Sequence, residues 1–232
     1  LTAALFGFTN VPLTITAVPN GPIGPALTDD KLSWKASLSF KPTHNLTTYA
    51  TVSTGFRPPA INQRAGSVST VDPTDIVIPD GASSDKLTNY EIGLKGSFFD
   101  NRFTANLAAF YIDWNNIQVQ ANRVSDTVQF ATNIGGAVSK GIEFELVAKP
   151  VDGLRLQASG AYIDARIDDL SDSEAAISGA VDGIRLSTPE FQGSASATYS
   201  FPVGDTETAF VTGNVAYVGS FPGLFPNVAG QP

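Results

Sequence analysis

The chain of 232 residues is 42% hydrophobic and only 16% charged, with a formal net charge of −8. Soluble domains average about 25% charged residues, and an acidic chain has no basic stripe for phosphates, which argues against a nucleic-acid partner. The absence of cysteine excludes disulfides and thiolate chemistry. No stretch approaches about 18 consecutive apolar residues, so a transmembrane helix is not expected.

Alternation of apolar and polar residues with a period of two recurs along the chain and predicts about eight β-strands. Apolar residues occupy one face of each strand, and mostly polar or charged residues occupy the other. Many of these runs are longer than the usual strand of about 5–6 residues. In chain order they cover residues 32–40, 46–53, 90–98, 103–111, 142–149, 154–162, 191–201 and 211–217.

The links between these runs alternate between short and long. Short turns are predicted at 41–45, 99–102, 149–153 and 202–207, and long links at 55–86, 114–138, 166–187 and from 219 onward. In an up-and-down sheet, all short turns would then lie at one end and all long loops at the other. Outer-membrane barrels have this arrangement, with short periplasmic turns and long extracellular loops.

Aromatic residues stand at both ends of the apolar faces, whereas alanine, leucine, glycine and valine fill the middles. These aromatic residues are Trp34, Phe40, Tyr90, Phe98, Phe103, Tyr111, Tyr162, Phe191, Tyr199 and Phe201. Two aromatic girdles around an apolar band are typical of a membrane-spanning barrel. The sequence therefore predicts an all-β fold, an antiparallel up-and-down transmembrane β-barrel with about eight strands of a larger barrel, whose apolar face meets lipid. A soluble β-sandwich is the alternative.

Three segments, in order, resemble TonB-dependent outer-membrane receptors. STGFRPPAINQ (53–63) is similar to the place in that family where a strand closes on Gly-Phe-Arg-x-Pro and enters a long external loop. Residues 83–120 contain Tyr-Glu-x-Gly-x-Lys, a short turn and Ala-x-Phe-Tyr-x-Asp-Trp. Residues 133–162 lead from Asn-x-Gly into Lys-Gly-x-Glu-x-Glu. The resemblance covers about residues 30–220.

The resemblance implies a transporter and not an enzyme, located in the outer membrane of a Gram-negative-type cell. The expected partners are a scarce ligand, first of all a ferric siderophore, outer-membrane lipid, and TonB, which would bind through a plug segment that this chain does not show. Residues 1–232 would be one piece of a barrel domain without the plug and the final strands. No catalytic residue, metal or cofactor is expected. A passive porin and a soluble β-sandwich adhesin or carbohydrate-binding module are the rival functions.

Five residues in or near the predicted external links are candidates for ligand binding: Arg57, Gln63, Arg64, Trp114 and Arg166. Pro58 and Pro59 restrict the backbone beside Arg57. The Arg57 guanidinium could bind an anionic group of a ligand or form a salt bridge with a luminal carboxylate. Trp114 could stack on a ligand, join the aromatic girdle or pack under a loop. Arg166 lies where the chain passes from the aromatic girdle into an outer loop.

Other polar residues have two interpretations each. The acidic run 164–174 could hold Ca²⁺ through hard oxygen ligands, or it could be a solvated outer loop. Glu91 and Lys95 are expected on the lumen wall, bonded to the plug or to neighbouring strands. His44, the one imidazole, lies in a predicted turn and is interpreted as a surface residue.

Overall fold

The computed structural model describes residue 27 and residues 29–222, which form one predominantly β architecture. In chain order its elements are β1 (Lys35–Thr43), β2 (Leu46–Arg57), β3 (Ala60–Ile61), β4 (Gly81–Ala82), β5 (Asp85–Phe98), β6 (Phe103–Asn122), β7 (Gln129–Ala148), β8 (Leu154–Asp168), α1 (Asp172–Ser178), β9 (Phe191–Val203) and β10 (Glu207–Val218).

Eight of these strands form one antiparallel sheet in the order β1-β2-β5-β6-β7-β8-β9-β10, and β3 pairs with β4 in a separate hairpin. Each long strand therefore pairs with the next long strand along the chain, which confirms the predicted up-and-down topology. Because the side-chain period of a strand is two, the alternation places apolar residues on one face of the whole sheet.

The apolar face is not packed against a second layer within the described residues. Ile92 and Val215 on this face are 63% and 64% exposed. A soluble β-sandwich would bury such side chains between two packed sheets. The described strands instead form a single layer, as in the wall of a barrel.

Aromatic pairs on the apolar face mark both ends of the membrane-facing band. On β5 and β6, the ring centroids of Tyr90 and Tyr111 are 6.4 Å apart, and those of Phe98 and Phe103 are 6.2 Å apart. The eight residue steps from one pair to the other rise about 27 Å along the strand, or roughly 20 Å along the membrane normal at a tilt near 40°. This distance fits two aromatic girdles around the apolar core of a bilayer.

The predicted long link across 114–138 is wrong. Strand β6 continues to Asn122 and β7 begins at Gln129, so the connection is the short segment 123–128. The alternating run Ile-Gln-Val-Gln-Ala at 117–121 continues the strand pattern beyond Trp114. Both strands therefore extend past the aromatic girdle at the long-loop end.

The other two internal long links are confirmed, but they contain regular structure that the alternation did not predict. Residues 58–84 include the β3–β4 hairpin, and α1 lies within 169–190. Helix α1 begins at a capping box between Ser171 and Glu174 and ends at Gly179, which has a left-handed φ of 70°. No helix among the described residues has the length and apolar character needed to cross a membrane.

Candidate functional site

The polar face of the wall carries hydrogen bonds between neighbouring strands. The Tyr49 hydroxyl donates to Glu91 at 2.7 Å, and the Lys95 ammonium lies 5.7 Å from the centre of the Tyr49 ring. On the next strands, the Asn106 amide donates to Glu145 at 3.1 Å. Glu91 and Lys95 therefore lie on the polar face, where both interact with a neighbouring strand.

Arg57 forms an ion pair with Asp85 where the wall meets the first long loop. The Asp85 side chain is only 1% exposed, and it accepts hydrogen bonds from the Arg57 backbone nitrogen at 3.0 Å and from Nε at 2.6 Å. A third group of Arg57, the second guanidinium nitrogen, donates to the Gln118 carbonyl oxygen at 3.1 Å. The guanidinium thus joins β2, β5 and β6.

The Trp114 ring lies against the guanidinium of Arg57. The Arg57 guanidinium carbon lies 4.8 Å from the centre of the Trp114 ring, within the range of a cation–π interaction. Trp114 is half-buried and also packs against a buried cluster that contains Ile117 and Ile134. The structure therefore brings Arg57 and Trp114 together, with Trp114 packed under the loop.

Gln63 and Arg64 lie apart from this pair, on the loop between β3 and β4, and both are exposed. Arg166 shares a strand face with Tyr162, which is 48% exposed on the apolar side of the sheet. Its Nε donates to Asp164 at 2.7 Å and its guanidinium donates to the Gly183 carbonyl oxygen at 3.3 Å. The five candidates therefore do not form one site in the described structure.

The sequence interpretation missed a buried arginine, Arg123, in the link between β6 and β7. Its side chain is 3% exposed and is paired with Asp126 at 2.7 Å. It also donates to the carbonyl oxygens of Ser67 at 2.7 Å and Ile76 at 3.3 Å. The Asp126 partner stands three residues away in sequence, but nothing in the sequence pattern marks the two carbonyls in a distant loop.

Arg123 and the carboxylates near it have shifted pKa values. The hydrogen bond from Arg123 lowers the pKa of Asp126, and the same pair raises the pKa of Arg123. Hydrogen bonds from Ser125 lower the pKa of Asp75. One of these donors is the Ser125 backbone nitrogen, 2.8 Å from the Asp75 carboxylate. Both carboxylates are therefore held in their ionised form.

The acidic run 164–174 leads into α1. The Ser171 backbone nitrogen and hydroxyl both donate to the Glu174 carboxylate, at 2.9 and 2.5 Å, and these bonds lower its pKa. Among residues 29–222, no three histidine, aspartate or glutamate side chains stand close enough to hold a metal ion. His44 lies exposed in the turn between β1 and β2.

Comparison with known proteins places this wall in a family. Residues 9–230 match the family described as TonB dependent receptor-like, beta-barrel. A probable TonB-dependent siderophore receptor, PiuA of Acinetobacter baumannii, is 27% identical over 139 residues, which are 60% of this chain and 18% of PiuA.

Solved receptor structures show the same fold. The ferric yersiniabactin uptake receptor FyuA of Yersinia pestis is 21% identical with a TM-score of 0.58, and the match covers 78% of this chain and 24% of FyuA. The ferric preacinetobactin receptor BauA of Acinetobacter baumannii is 20% identical with a TM-score of 0.60, and the match covers 84% of this chain and 26% of BauA.

The chain thus spans about a fifth to a quarter of the length of these relatives. The match covers nearly all of the chain itself, and it agrees with the single-layer, up-and-down wall and its aromatic girdles. This chain belongs to the β-barrel family of TonB-dependent outer-membrane receptors, whose members are transporters and not enzymes.

Proposed function

We propose that this chain forms part of the wall and external rim of a receptor that imports a ferric siderophore, with energy supplied through TonB. The observation that supports this best is the eight-stranded wall with a bare apolar face and structured loops at one end. PiuA is described as a probable siderophore receptor, and FyuA and BauA as receptors for ferric yersiniabactin and ferric preacinetobactin, but at about 20% identity the last two share the fold alone. The ligand class is therefore part of the proposal.

The candidate residues have different roles in this proposal. Gln63 and Arg64 are exposed on the external loop and would contact the ligand directly, because a guanidinium can bind an anionic group through two parallel hydrogen bonds. Arg57 and Trp114 would act by fixing the base of that loop. Arg166 lies on the lipid-facing side of the wall, so it would hold its own loop through Asp164 and the Gly183 carbonyl oxygen and would not contact the ligand.

The polar face would meet the plug domain of the complete receptor. Glu91, Lys95 and Glu145 line this face and keep part of their hydrogen-bonding capacity free, because a carboxylate offers several lone pairs and an ammonium three donors. Reversible contacts of this kind would let the plug move when TonB pulls on it.

Uptake of radio-iron complexes of one catecholate and one hydroxamate siderophore would test the proposal in cells that carry or lack the complete reading frame. We expect uptake of one of the two complexes to require the reading frame, and to stop in a TonB-deficient strain or after collapse of the proton gradient. Uptake that persists without TonB and rises linearly with concentration would identify a passive porin instead.

Variants would test the ligand-contacting role of the loop. Replacing both Gln63 and Arg64 with alanine should raise the ligand concentration that gives half-maximal uptake by about tenfold. The reason is that a charged hydrogen bond contributes roughly 1.5–3 kcal/mol. Arg102→Ala is the matched control, because Arg102 is an exposed arginine in a turn at the opposite end of the wall. Equal uptake by both variants would remove Gln63 and Arg64 from the ligand site.

A further inference from the structure

Three segments at the long-loop end pack together, and we call them the external cluster: residues 58–84, 123–128 and 169–186. We propose that the external cluster is a preformed, fixed rim whose three segments stay joined to each other and to β6 and β7, and do not open as separate loops. A fixed rim of this kind is independent of the class of ligand that the receptor binds.

Arg123 joins the first two segments through groups that are shielded from water. Besides its ion pair with Asp126, it donates to the Ser67 and Ile76 carbonyl oxygens. A guanidinium offers five donors in a fixed fork, and here they bind both sides of the 58–84 loop. Separation of the two segments would break both hydrogen bonds to the carbonyl oxygens and leave Arg123 with Asp126 as its partner in the same segment, which disfavours a separated state.

Asp75 and Ser69 provide a second connection between the same two segments. The Ser125 backbone nitrogen donates to Asp75 at 2.8 Å, and the hydroxyl oxygens of Ser69 and Ser125 are 2.8 Å apart. Ser69 is 2% exposed. The link 123–128 is therefore bound from several sides by one long loop.

The 58–84 loop is also attached to the strands beneath it. The buried Asn62 side chain accepts from the Ala131 backbone nitrogen at 2.7 Å and donates to the Ala131 carbonyl oxygen at 2.8 Å, so it binds the edge of β7 as a neighbouring strand would. Gln118 of β6 donates to the carbonyl oxygens of Pro58 and Ser83 at 2.7 and 3.0 Å. Both ends of the loop are thus anchored on the extended parts of β6 and β7.

Two apolar clusters bring in the third segment. Ile78 of the long loop packs with Ala121 and Phe130 of the wall, and Ile177 of α1 packs against the same group. Ala180, which follows α1, is buried with Ile117, Ile134, Ala137 and Ile167. Because the same strands bear both clusters, movement of one segment away from the wall would expose apolar surface shared with another.

Hydrogen exchange of the complete receptor in detergent tests whether the three segments behave as one unit. We expect slow amides in all three segments, and we expect Arg123→Ala to speed their exchange together by at least tenfold. Arg123→Lys should resemble Arg123→Ala, because a lysine lacks the fork that reaches both carbonyls. Arg102→Ala is the control and should leave the external cluster unchanged. Faster exchange confined to 123–128, or rapid exchange of α1 in the unmodified protein, would overturn the proposal.

A disulfide provides a second test that does not depend on removing Arg123. The 232 residues contain no cysteine, so Ser69→Cys with Ser125→Cys would add one defined pair at positions whose hydroxyls are already in contact. If the rim is fixed, exchange in the external cluster should differ by less than twofold between the oxidised and reduced forms. A slowing of tenfold or more on oxidation would show that the segments separate in solution. Ser159→Cys with Ser194→Cys is the matched control, because these hydroxyls are 3.0 Å apart across β8 and β9.

Discussion

Replacing Arg57 with alanine would show whether this arginine fixes the external loop or binds ligand. Asp85 is almost fully buried and depends on Arg57 for its ion pair and for its shortest hydrogen bond, from Nε at 2.6 Å. In the variant, its carboxylate would keep only backbone donors, at 3.0 Å from residue 57 and 3.4 Å from Gln118.

The size of the effect follows from the burial of the two partners. Leaving a buried charge unpaired costs about 3–5 kcal/mol, whereas a hydrogen bond to a charged group contributes about 1.5–3 kcal/mol. The Arg57 side chain is 42% exposed, so water partly replaces it. We therefore expect a loss of about 2–3 kcal/mol in the free energy of unfolding.

Equilibrium urea unfolding of the complete receptor in lipid vesicles would measure this loss. Arg57→Lys should lose an intermediate amount, because the charge remains but one ammonium cannot reproduce the bonds to both Asp85 and Gln118. Arg102→Ala should change the free energy by less than about 0.5 kcal/mol, since its partner Asp152 is fully exposed and the two are 3.6 Å apart. Unchanged stability of Arg57→Ala, together with weaker binding of a ferric siderophore, would refute this reasoning.

Three further predictions concern the wall and the rim. Leu107→Arg should destabilise the folded barrel in vesicles by about 2–4 kcal/mol because Leu107 is 41% exposed on the lipid face, whereas Asn106→Arg on the polar face should cost less than about 1 kcal/mol; equal costs would show that the faces are assigned wrongly. Gly135→Ala should cost about 1–3 kcal/mol in urea unfolding because the new Cβ would collide with the Asp169 carbonyl oxygen, while Gly55→Ala meets no atom within 4 Å and should be tolerated. Asp75 and Asp126 have lowered pKa values, so their stabilising contribution is complete above the unfolded pKa near 4 and is lost as the pH falls through the folded values. A spin label at Thr70→Cys should therefore keep constant mobility from about pH 8 to about pH 5 and become mobile only below about pH 4. An increase in its mobility near neutral pH would contradict the assignment.

The wall could be predicted from the sequence because its physics is local. A strand with one face in lipid and one in water must alternate, so residues such as Leu94, Lys95 and Gly96 reveal their faces directly. The same rule applies to 117–121, where the alternation was present and the strand continues. The family resemblance is confirmed by the match over residues 9–230.

The rim could not be predicted in the same way because its contacts join distant segments. Arg123 binds the carbonyl oxygens of Ser67 and Ile76, which are separated from it by 56 and 47 positions in the sequence. Asn62 binds Ala131 at a separation of 69 positions. Backbone acceptors of this kind leave no residue pattern. The salt bridge of Arg57 was one of two interpretations open from sequence, but its partner Asp85 is identified only by the register of β2 and β5.

The aromatic girdle at the long-loop end contains geometric information that neither alternation nor loop length carries. Residues that pair across neighbouring strands form rows that run across the sheet. The row through Tyr111 of β6 passes through Lys140 of β7 and reaches Asp164 of β8. The girdle residue of β8 is instead Tyr162, two residues nearer the short turns. In the other direction, the row through Tyr90 leads to Ala36 of β1, and the aromatic residue there is Trp34, two residues farther from the short turns. The girdle thus crosses the rows in one constant direction.

This slope measures the tilt of the strands. Tyr90 and Tyr111 share one row, so from Trp34 to Tyr162 the girdle shifts by four residues, about 13 Å along a strand, over five strand spacings, about 24 Å. The angle between the girdle and the rows is therefore about 29°. Rows run perpendicular to the strands, and a bilayer interface runs perpendicular to the barrel axis, so the strands are inclined to the axis by the same angle. Transmembrane barrels have tilts of about 35–45°, in the same sense and slightly steeper than this slope. A sheet that faced water would have no reason to place its aromatic residues along such a line, so the girdle independently supports a tilted wall in a membrane.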